Sequence, residues 1–246
     1  MKAMILAAGL GSRLQHKTEK IPKALVQVAG RPILHYQLTA IANNGINEVV
    51  IVIGYEGQKI IDYVTESFPN LTCHFVENSI YDQSNSSYSF WLAKDLITDD
   101  SYLHFNCDII MSEQLVKEIL ESDRSNVFAV GKWVELRNNM EQVELNGDRV
   151  LKMDNQHYPE AVGKAFGFAK FSKESTSWVC DRLRTYIDAG DKNQNYYGML
   201  RQAVHELPYF SLDASNELLL EVNTLDDLAL AEQAIARARA RFARCT

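Results

Sequence analysis

The sequence lacks any apolar run long enough to cross a bilayer. Nothing in it approaches ~18 consecutive apolar residues, and the short apolar stretch "AMILAA" at 3–8 runs straight into glycines and Arg13. A soluble, cytoplasmic protein is expected. Cysteine is sparse and unpaired in spacing. The four residues Cys73, Cys107, Cys180 and Cys245 are scattered with no C-x-x-C among them. That excludes a zinc ribbon or a disulfide frame and suits reduced thiols, with Cys107 expected in the core. An excess of positive charge is also missing. The formal net charge of -7 argues against a general nucleic-acid binder, because phosphate-backbone binding is driven by clustered Lys and Arg. The basic cluster at 236–244, ending at Arg244, reads as the last turns of a helix. There is no Pro, Gly or Ser-rich linker, no internal repeat and no low-complexity tract. One domain over 1–246 follows, with 1–131 and 132–246 as its two halves.

What is present is a regular alternation. "AMILAA" reads as a buried strand and "PILHYQLTAIANNG" as a helix closed by Asn43, Asn44 and Gly45. "NEVVIVIGY" is a β-branched run of the kind buried on both faces of a sheet. Helix, strand, helix, strand, helix and strand continue to "NVFAVGK". This alternation implies an α/β fold with a Rossmann-like, doubly wound, mainly parallel sheet, and ligands beyond the carboxyl ends of its strands. The pattern breaks near residue 139. "MEQVELNGDRVLKM" is a hairpin signal around "NGD", "KAFGFAKFS" a strand and "NELLLEVNT" another. Helices are expected at 173–189, 195–205 and from Leu225 onward. The mixed second half is read as a small β-rich subregion capping the first.

The informative stretch is "AAGLGSRLQHKTEKIPK" at 7–23. It is not a dinucleotide loop, because position 14 is Leu where G-x-G-x-x-G needs its third glycine. It is not a Walker loop, because no G-K-[ST] follows. What remains is a glycine loop with its own cations. Gly9 and Gly11 let backbone N–H groups face an anion. Ser12 adds a hydroxyl, Arg13 a planar fork and Lys23 a point charge, with Pro22 stiffening its approach. No acid is among these residues, so the stretch reads as a triphosphate cradle.

"LAAGLGSRL…KIPK" resembles the signature of the nucleotidyltransferases that make activated sugars and alcohols, L-x-x-G-x-G-[TS]-R-L followed by P-K. The resemblance runs on through "NCD" at 106–108 to "EVNTLDDL" at 221–228. It implies that Arg13 binds the β,γ-phosphates and Lys23 the α-phosphate, both as catalytic groups. Leu6, Ala8, Gly9, Gly11, Ser12 and Asn106 then fall in the nucleotide site. His16 stands where a proline is common. It also implies Mg²⁺ as cofactor, held by Asp108, Glu221 and Asn223. Asp108 alternatively caps the helix beginning near Ser112. Asn223 replaces the usual aspartate of an E-x-D, leaving the ligand set open, and Asp226 and Asp227 read as helix caps.

"NSSYS" at 85–89 resembles the branch that transfers cytidylyl groups from CTP to phosphocholine, 2-aminoethylphosphonate and relatives. Asn85 offers the donor and acceptor a cytosine edge needs, with Ser89 beside it, and it equally suits a helix N-cap. "GKWVELRNNMEQV" resembles the same branch, with Gly131 where an aspartate is usual. Lys132 and Lys164 are candidate contacts to the acceptor's phosphate or phosphonate. Trp133 is a candidate cation–π wall for an amine, or plain core packing. Tyr197 is a further acceptor-side candidate, while Tyr196 and Trp178 read as packing. A sugar-1-phosphate nucleotidyltransferase using UTP, GTP or dTTP stays open, as does a nucleotide binder without turnover, which Asn223 alone favours. A homodimer is compatible with the chain, whose sequence does not fix its oligomeric state.

Overall fold

The computed structural model describes residues 1–242, so Arg244 and Cys245 lie outside the described residues. In chain order the first half runs β1 (Lys2–Ala7), a loop with two 3₁₀ turns, the small ribbon β2 (Gln27–Val28) and β3 (Arg31–Pro32), then α1 (Ile33–Asn43). It continues β4 (Glu48–Ile53), α2 (Gly57–Ser67), β5 (Thr72–Glu77), α3 (Ser86–Ala93), β6 (Tyr102–Asn106), β7 (Ile109–Met111), α4 (Glu113–Glu121) and β8 (Val127–Gly131). The second half runs β9 (Gln142–Asn146), β10 (Arg149–Asp154), β11 (Gly163–Phe171), α5 (Lys173–Asp188), α6 (Tyr196–Ala203), β12 (Phe210–Asp213), β13 (Leu219–Glu221) and α7 (Leu225–Phe242). Among the described residues, no helix is long and apolar enough to cross a membrane.

Nine strands form one sheet in the order β5-β4-β1-β6-β11-β8-β12-β10-β9. From β5 to β6 the pairs are parallel, as the strand–helix alternation requires. β11 enters antiparallel to both β6 and β8, so the sheet is mixed. β12 lies parallel to β8, a strand the sequence did not announce. β9 pairs with β10 across Gly147, at φ 62°, and returns to pair with the start of β11. Five strands thereby close a ring of pairings, in which β8 from the first half joins β9 to β12 of the β-rich second half.

The long β-branched runs are buried on both faces because helices cover both sides. Ile5, Leu38, Ile51 and Ile60 pack on one face, and Met4, Val50, Phe90 and Phe128 on the other. Capping residues set the helix starts. Ser112 accepts a hydrogen bond from the N–H of Leu115, and Ser172 from that of Ser175. Thr224 and Asp227 cap α7 reciprocally: Asp227 accepts from the N–H groups of Asn223 and Thr224, and Thr224 Oγ1 from that of Asp227.

The "NELLLEVNT" strand lies outside the main sheet. β13 pairs antiparallel with β7, opposing Glu221 to Ile109, and the N–H of Val222 donates to the carbonyl of Asp108 at 2.9 Å. This ribbon carries the late acidic segment to the end of β6. That end is itself paired to the strand that leads into the glycine loop, since Leu6 of β1 lies opposite Asn106 in register.

Candidate functional site

A cavity of about 420 Å³ opens beyond the ends of β1 and β6. Leu6, Ala8, Gly9, Gly11, Ser12 and Arg13 line one side, with Lys23 behind them. Asn106 and Asp108 line the floor, and Asn85 and Ser89 the far wall. The structure thus gathers every residue that the sequence placed in the nucleotide site. Gly11 sits at φ 65°, and a Cβ there would lie 2.9 Å from Cβ of Lys23, so only glycine lets the loop pack this tightly on the lysine. At Gly9 the added Cβ would meet nothing within 4 Å; the space in front of it is the cavity.

Lys23 is the electrostatic centre. Its Nζ donates to Asp108 Oδ2 at 2.7 Å and to Asn223 Oδ1 at 2.8 Å. Arg13 Nη2 donates to the same Asn223 oxygen at 2.6 Å. The amide oxygen of Asn223 therefore holds both cations together. Asp108 caps no helix, since Ser112 fills that place. Its Oδ1 is buried and has no hydrogen-bond partner.

That free oxygen is the observation against which magnesium can be tested. Mg²⁺ takes oxygen ligands, typically one or two carboxylates with phosphates and water completing the shell. Asp108 and Asn223 line one cavity with room for a polyphosphate, and a carboxylate with an unpartnered oxygen beside an amide oxygen is a donor set that fits a metal shared with a nucleotide. Glu221 stands apart. Its carboxylate pairs with Lys164 and faces a second cavity. Among the described residues no three His, Cys, Asp or Glu side chains form a metal-sized cluster, so a metal here depends on ligand phosphates.

The second cavity, about 600 Å³, shares Arg13, Asn106 and Asn223 with the first. Trp133, Lys164, Tyr197 and Glu221 line it. Trp133 is not core: it is 49% exposed and stacks on Phe166 with ring centroids 5.9 Å apart. Gly131 makes that stack possible, because a Cβ there would fall 2.7 Å from the Phe166 ring and 2.9 Å from the indole. Lys164 lies 4.6 Å over the Phe166 ring. Tyr197 is buried and donates its hydroxyl proton to the carbonyl of Phe166 at 3.1 Å. Lys132 does not join the cavity. Its ammonium pairs with Asp213 at 3.1 Å, at the bend that follows β8.

Asn85 takes the helix-capping role and also stands in the cavity wall. Its Oδ1 caps α3 by accepting from the N–H of Ser86, and the residue lines the first cavity. Ser89 Oγ accepts from Asn78 Nδ2 at 3.0 Å. Cys107 is not fully core either: it packs against the core and also lines the first cavity, and burial pushes its thiol up to about 12.

Other lining residues are not among the candidates named from the sequence, although Asn138 and Glu141 fall within "GKWVELRNNMEQV". Asn195 lines the first cavity and caps α6. Asn138 and Glu141 line the second. Both carboxylate oxygens of Glu141 accept from Arg201 Nη1, at 2.7 and 2.8 Å. Burial raises the pKa of Glu141, and Arg201 pulls it partly back. Beneath the shared wall lies His104, fully buried and stacked on Tyr196 at 4.8 Å, its Nε2 3.2 Å from Asn106 Oδ1. Burial drives its pKa down to about 4, so the ring is neutral at pH 7. An Asn oxygen can only accept, so Nε2 carries the proton.

Comparison with known proteins agrees with this geometry. Residues 3–162 match the model of the MobA-like NTP transferase domain. A choline-phosphate cytidylyltransferase of Streptococcus pneumoniae is 41% identical over 112 residues, 43% of this chain and 47% of that one. A CTP:phosphoglutamine cytidylyltransferase of Campylobacter jejuni is 30% identical over 196 residues, 73% of this chain and 76% of that one. The match thus spans about half the length of the first relative and three quarters of the second. The solved structure of a CTP:phosphocholine cytidylyltransferase from Streptococcus pneumoniae superposes with a TM-score of 0.77 at 22% identity, covering 95% of this chain and 98% of that one. The fold is the mixed α/β nucleotidyltransferase fold.

Proposed function

Because this chain belongs to the MobA-like NTP transferase family, we propose that it is a magnesium-dependent cytidylyltransferase. It moves CMP from CTP to a small phosphate or phosphonate that bears an amine, and releases pyrophosphate. One observation carries the reading: a loop-lined cavity and an aromatic-walled cavity meet at Arg13, Asn106 and Asn223. Two substrates laid in them would touch where those residues stand.

The chemistry needs little covalent work from the protein. The acceptor oxygen is anionic near neutral pH and requires no general base. It attacks the α-phosphorus in line, and the bond to the β-phosphate oxygen breaks, with pyrophosphate as leaving group. Arg13 and the N–H groups of the glycine loop hold the departing charge. Lys23 exchanges Asp108 and Asn223 for the α-phosphate. Asp108 and Asn223 would hold Mg²⁺, which supplies charge neutralisation at the phosphates. Lys164 offers an ammonium to the acceptor's anionic end. Trp133 offers its exposed ring face to the amine. The nucleotide half, 1–131, and the acceptor half, 132–246, act as one catalytic unit.

A sugar-1-phosphate acceptor is the second reading, because the stacked Trp133–Phe166 pair also suits a sugar ring. Pyrophosphate release separates the two. The assay uses Mg²⁺, each common NTP in turn, and acceptors including phosphocholine, 2-aminoethylphosphonate, phosphoethanolamine and sugar 1-phosphates. Turnover with CTP and one amine-bearing acceptor supports the proposal. Turnover only with a sugar phosphate and another NTP overturns it. Nucleotide binding with no turnover on any acceptor points to a silent binder, and Asn223→Asp then asks whether the amide is the cause.

A further inference from the structure

Gln37 is fully buried in α1, facing the end of β6. Its Nε2 donates to the carbonyl of Asn106 at 2.7 Å and to that of Ile109 at 2.9 Å. Those two carbonyls flank Cys107 and Asp108, so one side-chain nitrogen spans the turn that presents the Asp108 carboxylate. An amide nitrogen has two hydrogens, and both are used here. The amide oxygen is buried with no partner. A flipped amide would set that oxygen against two carbonyl oxygens, so the observed orientation is the one the contacts allow. A leucine or methionine would fill the same space and bury no amide oxygen, but it would leave the two carbonyls of the turn without this donor. The amide thus does something packing does not require. From the opposite side of the turn, Val222 N–H donates to the Asp108 carbonyl.

We propose that Gln37 is a positioning residue that sets where Asp108 places its free oxygen, and so how tightly a metal is held with the nucleotide. The inference rests on the reading of Asp108 as a metal ligand. Residues acting through a ligand in this way typically alter metal affinity or activity by ~10- to 100-fold.

The test is Gln37→Met, which keeps length and volume and removes both donors. Four quantities are measured on the whole chain: thermal midpoint, affinity for a non-hydrolysable CTP analogue without metal, Mn²⁺ bound in the presence of that analogue by electron paramagnetic resonance, and kcat. The expected result is a Mn²⁺ affinity and kcat lowered by about 10- to 100-fold, with analogue affinity close to wild type and a thermal midpoint that falls but stays well above the assay temperature. A Mn²⁺ affinity unchanged from wild type, or losses that merely follow unfolding, overturns the proposal. If Gln37→Met does not fold, Gln37→Asn, whose shorter amide cannot span the turn, is judged by the same results. The readouts also separate the two failures. A wild-type chain that binds analogue and Mn²⁺ but turns over no acceptor defeats the proposed reaction and leaves the Gln37 comparison intact. A wild-type chain that binds analogue without Mn²⁺ defeats the metal reading itself.

Discussion

The first cavity takes one whole side from a single stretch of chain, residues 6–13, and closes it with Lys23, Asn85 and the turn after β6. The second draws on residues 133–141, 164–167, 219–224 and 227–231, brought together by the ring of strands and the β7–β13 ribbon. One is a backbone-lined pocket at the edge of a parallel sheet, where loops after neighbouring strands must converge. The other is a side-chain-lined pocket whose parts are distant in sequence. Their electrostatics differ in the same way. In the first, Arg13 and Lys23 share one amide oxygen, and Lys23 alone also pairs with a carboxylate. In the second, Lys164 and Arg201 are matched by Glu221 and Glu141, leaving an aromatic face as the exposed feature. The first cavity is thus built largely from one local motif, and the second by long-range assembly.

The contrast is broken most severely at Lys23. Lys23→Met should lower kcat/KM by at least ~100-fold, the usual cost of one charge-stabilising donor. It should also destabilise the fold, because Asp108 would keep a mostly buried charge without its partner. Lys132→Met, by contrast, should leave kcat/KM within about twofold, since it removes only a half-exposed pair with Asp213. Steady-state kinetics on both variants checks this. Trp133→Ala tests the second cavity alone. Acceptor KM should rise about 5- to 30-fold, the equivalent of one cation–π contact of ~1–2 kcal/mol, while CTP KM stays put. A parallel rise in CTP KM would mean that the cavities are not separable. Asn223→Asp restores a carboxylate where the two cavities meet. Half-saturating Mg²⁺ should fall several-fold in a titration of pyrophosphate release.

The smallest expected effect concerns the wall between the cavities. His104 has a pKa of about 4 in the folded chain, against 6.5 as its ordinary value, because burial disfavours its charged form among Tyr102, Tyr196, Tyr197 and Phe171. The unfolded chain takes up this proton first. Stability from this group is therefore complete above pH 6.5 and declines as the pH falls toward 4. His104→Gln keeps a donor for Asn106 and removes the titration. Denaturant unfolding across that window should give a flatter profile for the variant.

Much of the fold was legible because its signals are local. β-branched runs and amphipathic spacing marked the parallel strands and their helices, and "NGD" marked the β9–β10 turn. β12 escaped because "FSLD" is short and half-buried, and its place beside β8 comes from tertiary contacts. The late acidic strand was expected, but not its departure from the main sheet to pair with Ile109–Met111. The site divides likewise. Gly9, Gly11, Arg13 and Lys23 form one motif with one chemical purpose. Asn138 and Glu141 lie in a stretch the sequence singled out only as a whole, and Asn195 reaches its cavity as a helix cap, so none stood out as an individual site residue. Lys132 misled because it neighbours Trp133 in sequence while facing away from it in space, and Gln37 looked like any polar position in a helix.

The most direct test is a crystal structure of the chain with the cytidylyl ester of its acceptor bound. The expected result has the cytidine in the first cavity near Asn85 and Ser89, the phosphate linkage beside Arg13, Asn106 and Asn223, and the amine against the Trp133 face. A linkage lying away from those three residues, or an acceptor moiety outside the second cavity, would contradict the claim that the two cavities are halves of one reaction path.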